Sequence, residues 1–114
     1  MIQRHGLTPI MHRIVEHNGV LYVGGIAASD RSAPMKGQTE QILNRIAKLL
    51  EEVGSDRSKI LTATVYISDM ALKGEMNEAW TAWFKPEEMP TRATIGVADL
   101  GKDTLIEVVF SAAK

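Results

Sequence analysis

The chain contains no cysteine. That absence excludes disulfides, thiolate nucleophiles, iron–sulfur clusters and every zinc site built on sulfur, and it leaves the redox compartment open. Aromatic residues are scarce, two each of Phe, Trp and Tyr in 114 residues, and no basic run is interleaved with them. Thirteen Lys and Arg stand against fourteen Asp and Glu, for a formal net charge of −1. A surface so balanced has no general attraction for nucleic acid or anionic membrane, although a local basic patch remains compatible with it. No apolar run approaches the roughly eighteen residues needed to span a bilayer. The opening Met1-Ile2-Gln3-Arg4-His5-Gly6 lacks the apolar core of a secretion signal. A cytoplasmic protein with neither membrane nor nucleic-acid partner is the expectation. His5, His12 and His17 show no HExxH spacing, and neither a GxSxG stretch nor a strand–glycine–lysine phosphate loop occurs. No metal and no cofactor is expected.

With 45% hydrophobic and 24% charged residues, the composition is that of an ordinary globular protein, and the length suits one domain over residues 1–114. Residues 1–11 mix Gly6, Pro9 and polar side chains and read as an irregular lead-in. Asn18-Gly19 between His12–Glu16 and Val20–Val23 is a hairpin signal, because both turn residues tolerate positive φ. Gly24-Gly25 then marks a bend or a close approach of backbone to a ligand or another chain. Ile42, Leu43, Ile46, Leu49, Leu50 and Val53 recur at helical spacing, which predicts a helix from Met35 or Gly37 to Val53, ended by Gly54. Ile60–Ile67 reads as a strand with Leu61, Ala63, Val65 and Ile67 on one face. Ser68-Asp69 caps a second helix over Ala71–Phe84, with Leu72, Met76, Ala79, Trp80 and Trp83 inward. Strands over Thr91–Val97 and Thr104–Ser111 follow, joined through Gly101. The order is β-β-α-β-α-β-β, an α+β domain with both helices on one face of a single sheet. Two helices cover one side only. Homo-oligomerisation through the other is the simplest way to cover its apolar residues.

Pro90-Thr91-Arg92-Ala93-Thr94 and Leu105-Ile106-Glu107-Val108-Val109-Phe110 carry the candidate chemistry. A carboxylate with five apolar neighbours is costly to bury unless a cation or hydrogen bonds meet it. If these two segments pair antiparallel, Arg92 and Glu107 face one cleft. There the guanidinium fork would hold a small carboxylate and Glu107 would handle a proton or a water.

These segments, with Val65-Tyr66-Ile67-Ser68-Asp69-Met70 and Asn77-Glu78-Ala79-Trp80-Thr81-Ala82-Trp83-Phe84, resemble the RidA (YjgF/YER057c/UK114) family over nearly the whole chain. The resemblance implies a chorismate-mutase-like fold assembled as a homotrimer, with clefts at the subunit interfaces. It implies hydrolysis of reactive 2-imino (enamine) acids to 2-oxo acids and ammonia, the activity of a 2-iminobutanoate/2-iminopropanoate deaminase. By the same resemblance Arg92 binds the substrate carboxylate and Glu107 positions or activates water. Gly25 and Thr94 meet the ligand through their main chain, and Asn77 lies near the cleft. Two departures stand out. Met11, in Pro9-Ile10-Met11, falls where founding members carry a tyrosine after Gly-Pro, and Leu100-Gly101 replaces the usual Leu-Pro. The first bears on substrate preference and turnover, and keeps a non-catalytic binder of 2-oxo acids as the rival. An endoribonuclease or translation-inhibitor role, a label attached to parts of the family, is a second rival that the near-neutral charge disfavours.

Overall fold

The computed structural model describes all of residues 1–114. Six strands and two helices follow one another as β1 (Gln3–Leu7), β2 (His12–His17), β3 (Val20–Ala27), α1 (Met35–Glu52), β4 (Ile60–Ile67), α2 (Lys73–Trp83), β5 (Thr91–Gly96) and β6 (Ile106–Ala113). The strands form one sheet in the order β1-β2-β3-β6-β4-β5. All neighbours pair antiparallel except β4 and β5, which run parallel. Strands β3, β4 and β5 therefore share one direction, and each α-helix is the crossover between two of them. No helix is long and apolar enough to cross a membrane.

Local chemistry accounts for most of these elements. Asn18 and Gly19 take φ of 51° and 77°, the left-handed pair that a two-residue turn between twisted strands requires. At the end of α1, Gly54 sits at φ 85°; its N–H donates to Glu51 O at 3.2 Å, and the Ser55 N–H donates to Leu50 O at 2.9 Å. This Schellman arrangement satisfies two carbonyls the helix would otherwise leave open. The Asp69 carboxylate accepts from the Ala71 N–H at 3.0 Å and opens the single 3₁₀ turn, Met70–Leu72, that precedes α2.

One continuous core lies between the sheet and both helices. Ile42, Leu43, Ile46 and Leu50 of α1 and Met76 and Trp80 of α2 meet Leu21 and Val23 of β3, Val65 and Ile67 of β4, and Ile106, Val108, Phe110 and Ala112 of β6. Trp80 stacks on Phe110 with ring centroids 6.5 Å apart and tilts against Phe84 at 5.0 Å. Gln38, fully buried, is the largest of four buried polar residues. Its amide nitrogen reaches the carbonyls of Arg31, Ala33 and Asp103 at 3.0–3.3 Å, and its oxygen accepts from the Leu105 N–H at 3.0 Å. The other face of the sheet is open, with Tyr22 54% and Val109 38% exposed beside Thr62 and Ser111.

Three local expectations change. Residues 3–7 are not an irregular lead-in but the outer strand, paired from Gln3↔Glu16 to Leu7↔His12. Its pattern is polar because it lies at an edge with little to bury. Leu61 is not inward: the register slips between Ile60 and Thr62, and this bulge leaves Leu61 44% exposed. The segment before α2 winds first as the 3₁₀ turn, so the α-helix proper starts at Lys73 rather than Ala71.

Candidate active site

The expected antiparallel pair of the two signature segments does not form. β5 pairs in parallel with β4, whereas β6 enters the middle of the sheet between β3 and β4. Its alternate residues, Ile106, Val108, Phe110 and Ala112, are 0–2% exposed, so β6 is better buried at the centre than at an edge. Arg92 lies opposite Ala63, under the helices, while Glu107 lies opposite Tyr66 and Ala27, between buried Ile106 and Val108. The two side chains therefore emerge on opposite faces of the sheet with β4 between their strands. Within one chain they share no cleft.

The structure sorts the expected site residues into two groups. The first holds Arg92, Thr94 and Asn77. Arg92 and Thr94 alternate along β5 on its helix side, opposite Ala63 and Val65. The Arg92 guanidinium is half-buried, 5.2 Å from the Trp80 ring centroid, with Nη1 3.4 Å from Met76 Sδ. No carboxylate pairs with it, since the only ion pairs of the chain join Glu16 to His5 and Lys114. Burial holds its pKa below the ordinary arginine value, yet a guanidinium remains charged. Asn77 follows Met76 on α2, and its Oδ1 is buried without a hydrogen-bond partner.

The second group holds Gly25, Glu107 and Met11. Between Val23↔Phe110 and Ile26↔Val108, Gly24 and Gly25 stand opposite the single residue Val109, forming a β-bulge. A Cβ on Gly25 would lie 2.5 Å from Glu107 Oε2, so the missing side chain is what lets the carboxylate lie over the bulge. A Cβ on Gly24 would lie 3.2 Å from Met11 Sδ, which puts the thioether of the departing residue against the same bulge. Tyr66, part of the Val65–Met70 motif but given no place in the site by the sequence, faces Glu107 directly across β4 and β6. Only the strand register reveals it, because β4 and β6 are joined by no local turn.

A small two-helix, single-sheet protein with a half-buried arginine on one side of the sheet and a carboxylate held over a glycine bulge on the other is the class the geometry defines. The family model described as Endoribonuclease L-PSP matches residues 6–114. A RutC family protein of Haemophilus ducreyi is 37% identical over 99% of this chain and 97% of that protein. The RutC family protein YoaB of Escherichia coli is 33% identical over 88% and 87%. Among solved structures, an uncharacterised protein of Pseudomonas aeruginosa superposes with a TM-score of 0.95 at 30% identity, covering 100% and 99% of the two chains. A YjgF family member of Neisseria meningitidis gives 0.94 at 30% identity, covering 100% and 95%. The chain belongs to the RidA/YjgF family.

Proposed function

We propose that the protein is a homotrimer that hydrolyses reactive 2-imino or enamine acids to 2-oxo acids and ammonia. Each of its three clefts would combine Arg92, Thr94 and Asn77 of one copy with Gly25 and Glu107 of the next. The observation that carries this reading is the half-buried Arg92 guanidinium with no acid beside it: a desolvated cation without a partner suits an anionic ligand. The family supports a small-molecule role in general terms. An open sheet face and two half-sites separated by the sheet are what an interfacial cleft would need.

The chemistry asks little of the protein. Arg92 holds the substrate carboxylate by two parallel N–H···O bonds. Glu107 takes a proton from water as its oxygen bonds to C2 of the protonated imine, forming a 2-amino-2-hydroxy acid. The proton passes from Glu107 to the nitrogen, the C–N bond breaks as the hydroxyl collapses to a carbonyl, and the hydroxyl's one proton leaves with ammonia as ammonium. General acid–base help of this kind contributes roughly 10²–10⁴-fold.

Met11 at the bulge, where founding members have a tyrosine, favours one alternative: binding of 2-oxo acids without turnover. The two readings part in one experiment, with 2-iminobutanoate or 2-iminopropanoate made in situ by an amino-acid oxidase and trapped by semicarbazide. Accelerated imine loss supports hydrolysis; no acceleration on any imino acid leaves binding alone. Analytical ultracentrifugation tests the assembly separately, and a monomer would remove the interfacial cleft. An RNA-cleaving role gains nothing from a net charge of −1 and six aromatic residues.

A further inference from the structure

Where β2 leaves β3, the sheet opens into a groove of about 200 Å³ beneath α1. β2 pairs with β3 only from Ile14↔Val23 to His17↔Val20, so the β2 side of Gly24–Ala27 carries no strand partner. Three arginines line this groove, Arg13 from β2, Arg31 from the loop before α1 and Arg45 from α1, with Leu49 and the Gly24-Gly25 bulge, and the lining includes no Asp or Glu. Missing ion pairs alone do not distinguish these residues, since Lys114 is the one Lys or Arg in a salt bridge. What distinguishes them is convergence: three planar, permanently charged forks around one small concavity, in a protein whose net charge is −1. Arg31 is held there by a hydrogen bond from Nε to Ala28 O at 3.3 Å, and buried Gln38 fixes its carbonyl.

We infer that this groove receives a second carboxylate of the ligand. That the ligand is a substrate rests on the reading of the preceding section; on that reading the substrates are 2-imino dicarboxylic acids. One carboxylate is clamped by Arg92 of the adjoining copy, and the side-chain carboxylate enters between Arg13, Arg31 and Arg45. Gly25 links the two, because its backbone lines the groove while its missing Cβ makes room for Glu107. The limited volume suits a small acid, and the lining has no aromatic platform on which a nucleobase would stack.

The test uses the stable products as probes. Calorimetry compares 2-oxoglutarate, 2-oxobutanoate and inorganic phosphate on the wild type and on Arg13→Gln/Arg45→Gln, which keeps the stems of both side chains. The wild type is expected to bind 2-oxoglutarate at least about tenfold tighter than 2-oxobutanoate, as one added charge-assisted pair implies. The double variant should lose that advantage and leave 2-oxobutanoate unchanged. Equal binding of the two oxo acids, an advantage that survives the double substitution, or phosphate binding as tight as 2-oxoglutarate would each overturn the inference. So would salt-sensitive binding of single-stranded RNA that the same double variant abolishes. Imine assays on 2-iminoglutarate and 2-iminobutanoate separate the two proposals. A protein that hydrolyses neither but keeps the Arg13/Arg45-dependent preference refutes the deaminase and supports the groove. One that hydrolyses both equally well supports the deaminase and overturns the groove.

Discussion

Replacing Arg92 with methionine should remove activity while leaving the fold intact. Methionine is unbranched and follows the arginine stem as far as Nε, which leaves it beside the Met76 thioether and the Trp80 ring that contact the guanidinium. The stability effect is a small difference. The variant loses a cation–π contact at 5.2 Å, of about 0.5–1 kcal/mol. It gains from no longer desolvating a cation that has no acid partner. The net should lie within about 1 kcal/mol, or roughly 4–8 °C in Tm for a domain this size, read at fixed protein concentration because association contributes. The effect on catalysis is much larger. Two hydrogen bonds between charged groups are lost, each of about 1.5–3 kcal/mol. Water recovers part of that, so about 3–4 kcal/mol should be missing from the transition state, roughly 10²–10³-fold in kcat/KM. Arg92→Lys, which keeps the charge but not the fork, should fall between. The assay is semicarbazide-trapped imine loss beside a thermal melt. Unchanged kcat/KM in Arg92→Met would refute the carboxylate clamp. A loss of activity that merely follows the unfolded fraction would show Arg92 to be structural.

Gly25→Ala should push the Glu107 carboxylate aside, since the new Cβ would lie 2.5 Å from Oε2. A displacement near 1 Å predicts a fall on the order of 10²-fold in kcat/KM with the melt almost unmoved, and full activity in that variant would remove Glu107 from the mechanism. Gln38→Leu fills the same space but strands three carbonyls and the Leu105 N–H, so a loss of about 2–4 kcal/mol is expected by denaturant titration; a neutral result would mean that water replaces the amide. A hydrogen bond from His5 holds the Glu16 carboxyl below its ordinary pKa, with help from Lys114 and against an opposing push from burial. Because the folded value is depressed, the stabilisation is present above the unfolded pKa and lost as pH falls through the folded one. Glu16→Gln should therefore differ from wild type in denaturation midpoint at pH 6 and converge with it in acid; a gap that stays constant down to pH 3 would contradict this linkage.

The sequence was most readable where a single residue decides the backbone. Asn18-Gly19 declares its turn and Gly54 its helix end, each with the predicted geometry, whereas the Asp69 cap opens a 3₁₀ turn ahead of α2 rather than the α-helix itself. The periodic apolar residues of α1 lie on its buried face, because 3.6-residue spacing needs no knowledge of the rest of the chain. Strand order was not readable in this way. Leu105–Phe110 is apolar on both faces apart from Glu107, a pattern that does not say which strands flank it, and the expected antiparallel pairing with β5 does not form. The same limit hid the nearness of Tyr66 to Glu107, which is a matter of register. It also hid the groove, whose three arginines lie 18 and 14 positions apart in the chain. β1 was missed because Gln3–Leu7 has no apolar alternation; it forms by completing hydrogen bonds along the outer edge of β2.

The central place of β6 also sets the order of assembly during synthesis. It follows every other element in the chain, yet it alone hydrogen-bonds to both β3 and β4. Until residues 106–113 leave the ribosome, the nascent chain holds a β1–β3 meander and a β4–α2–β5 unit, each with an unpaired edge and apolar residues that await the same missing strand. Helices can form early, but the sheet closes in one late step, through contacts that span most of the sequence. The interval before that step is when the chain is most exposed to proteases and to pairing with its own copies, and a holding chaperone would act there.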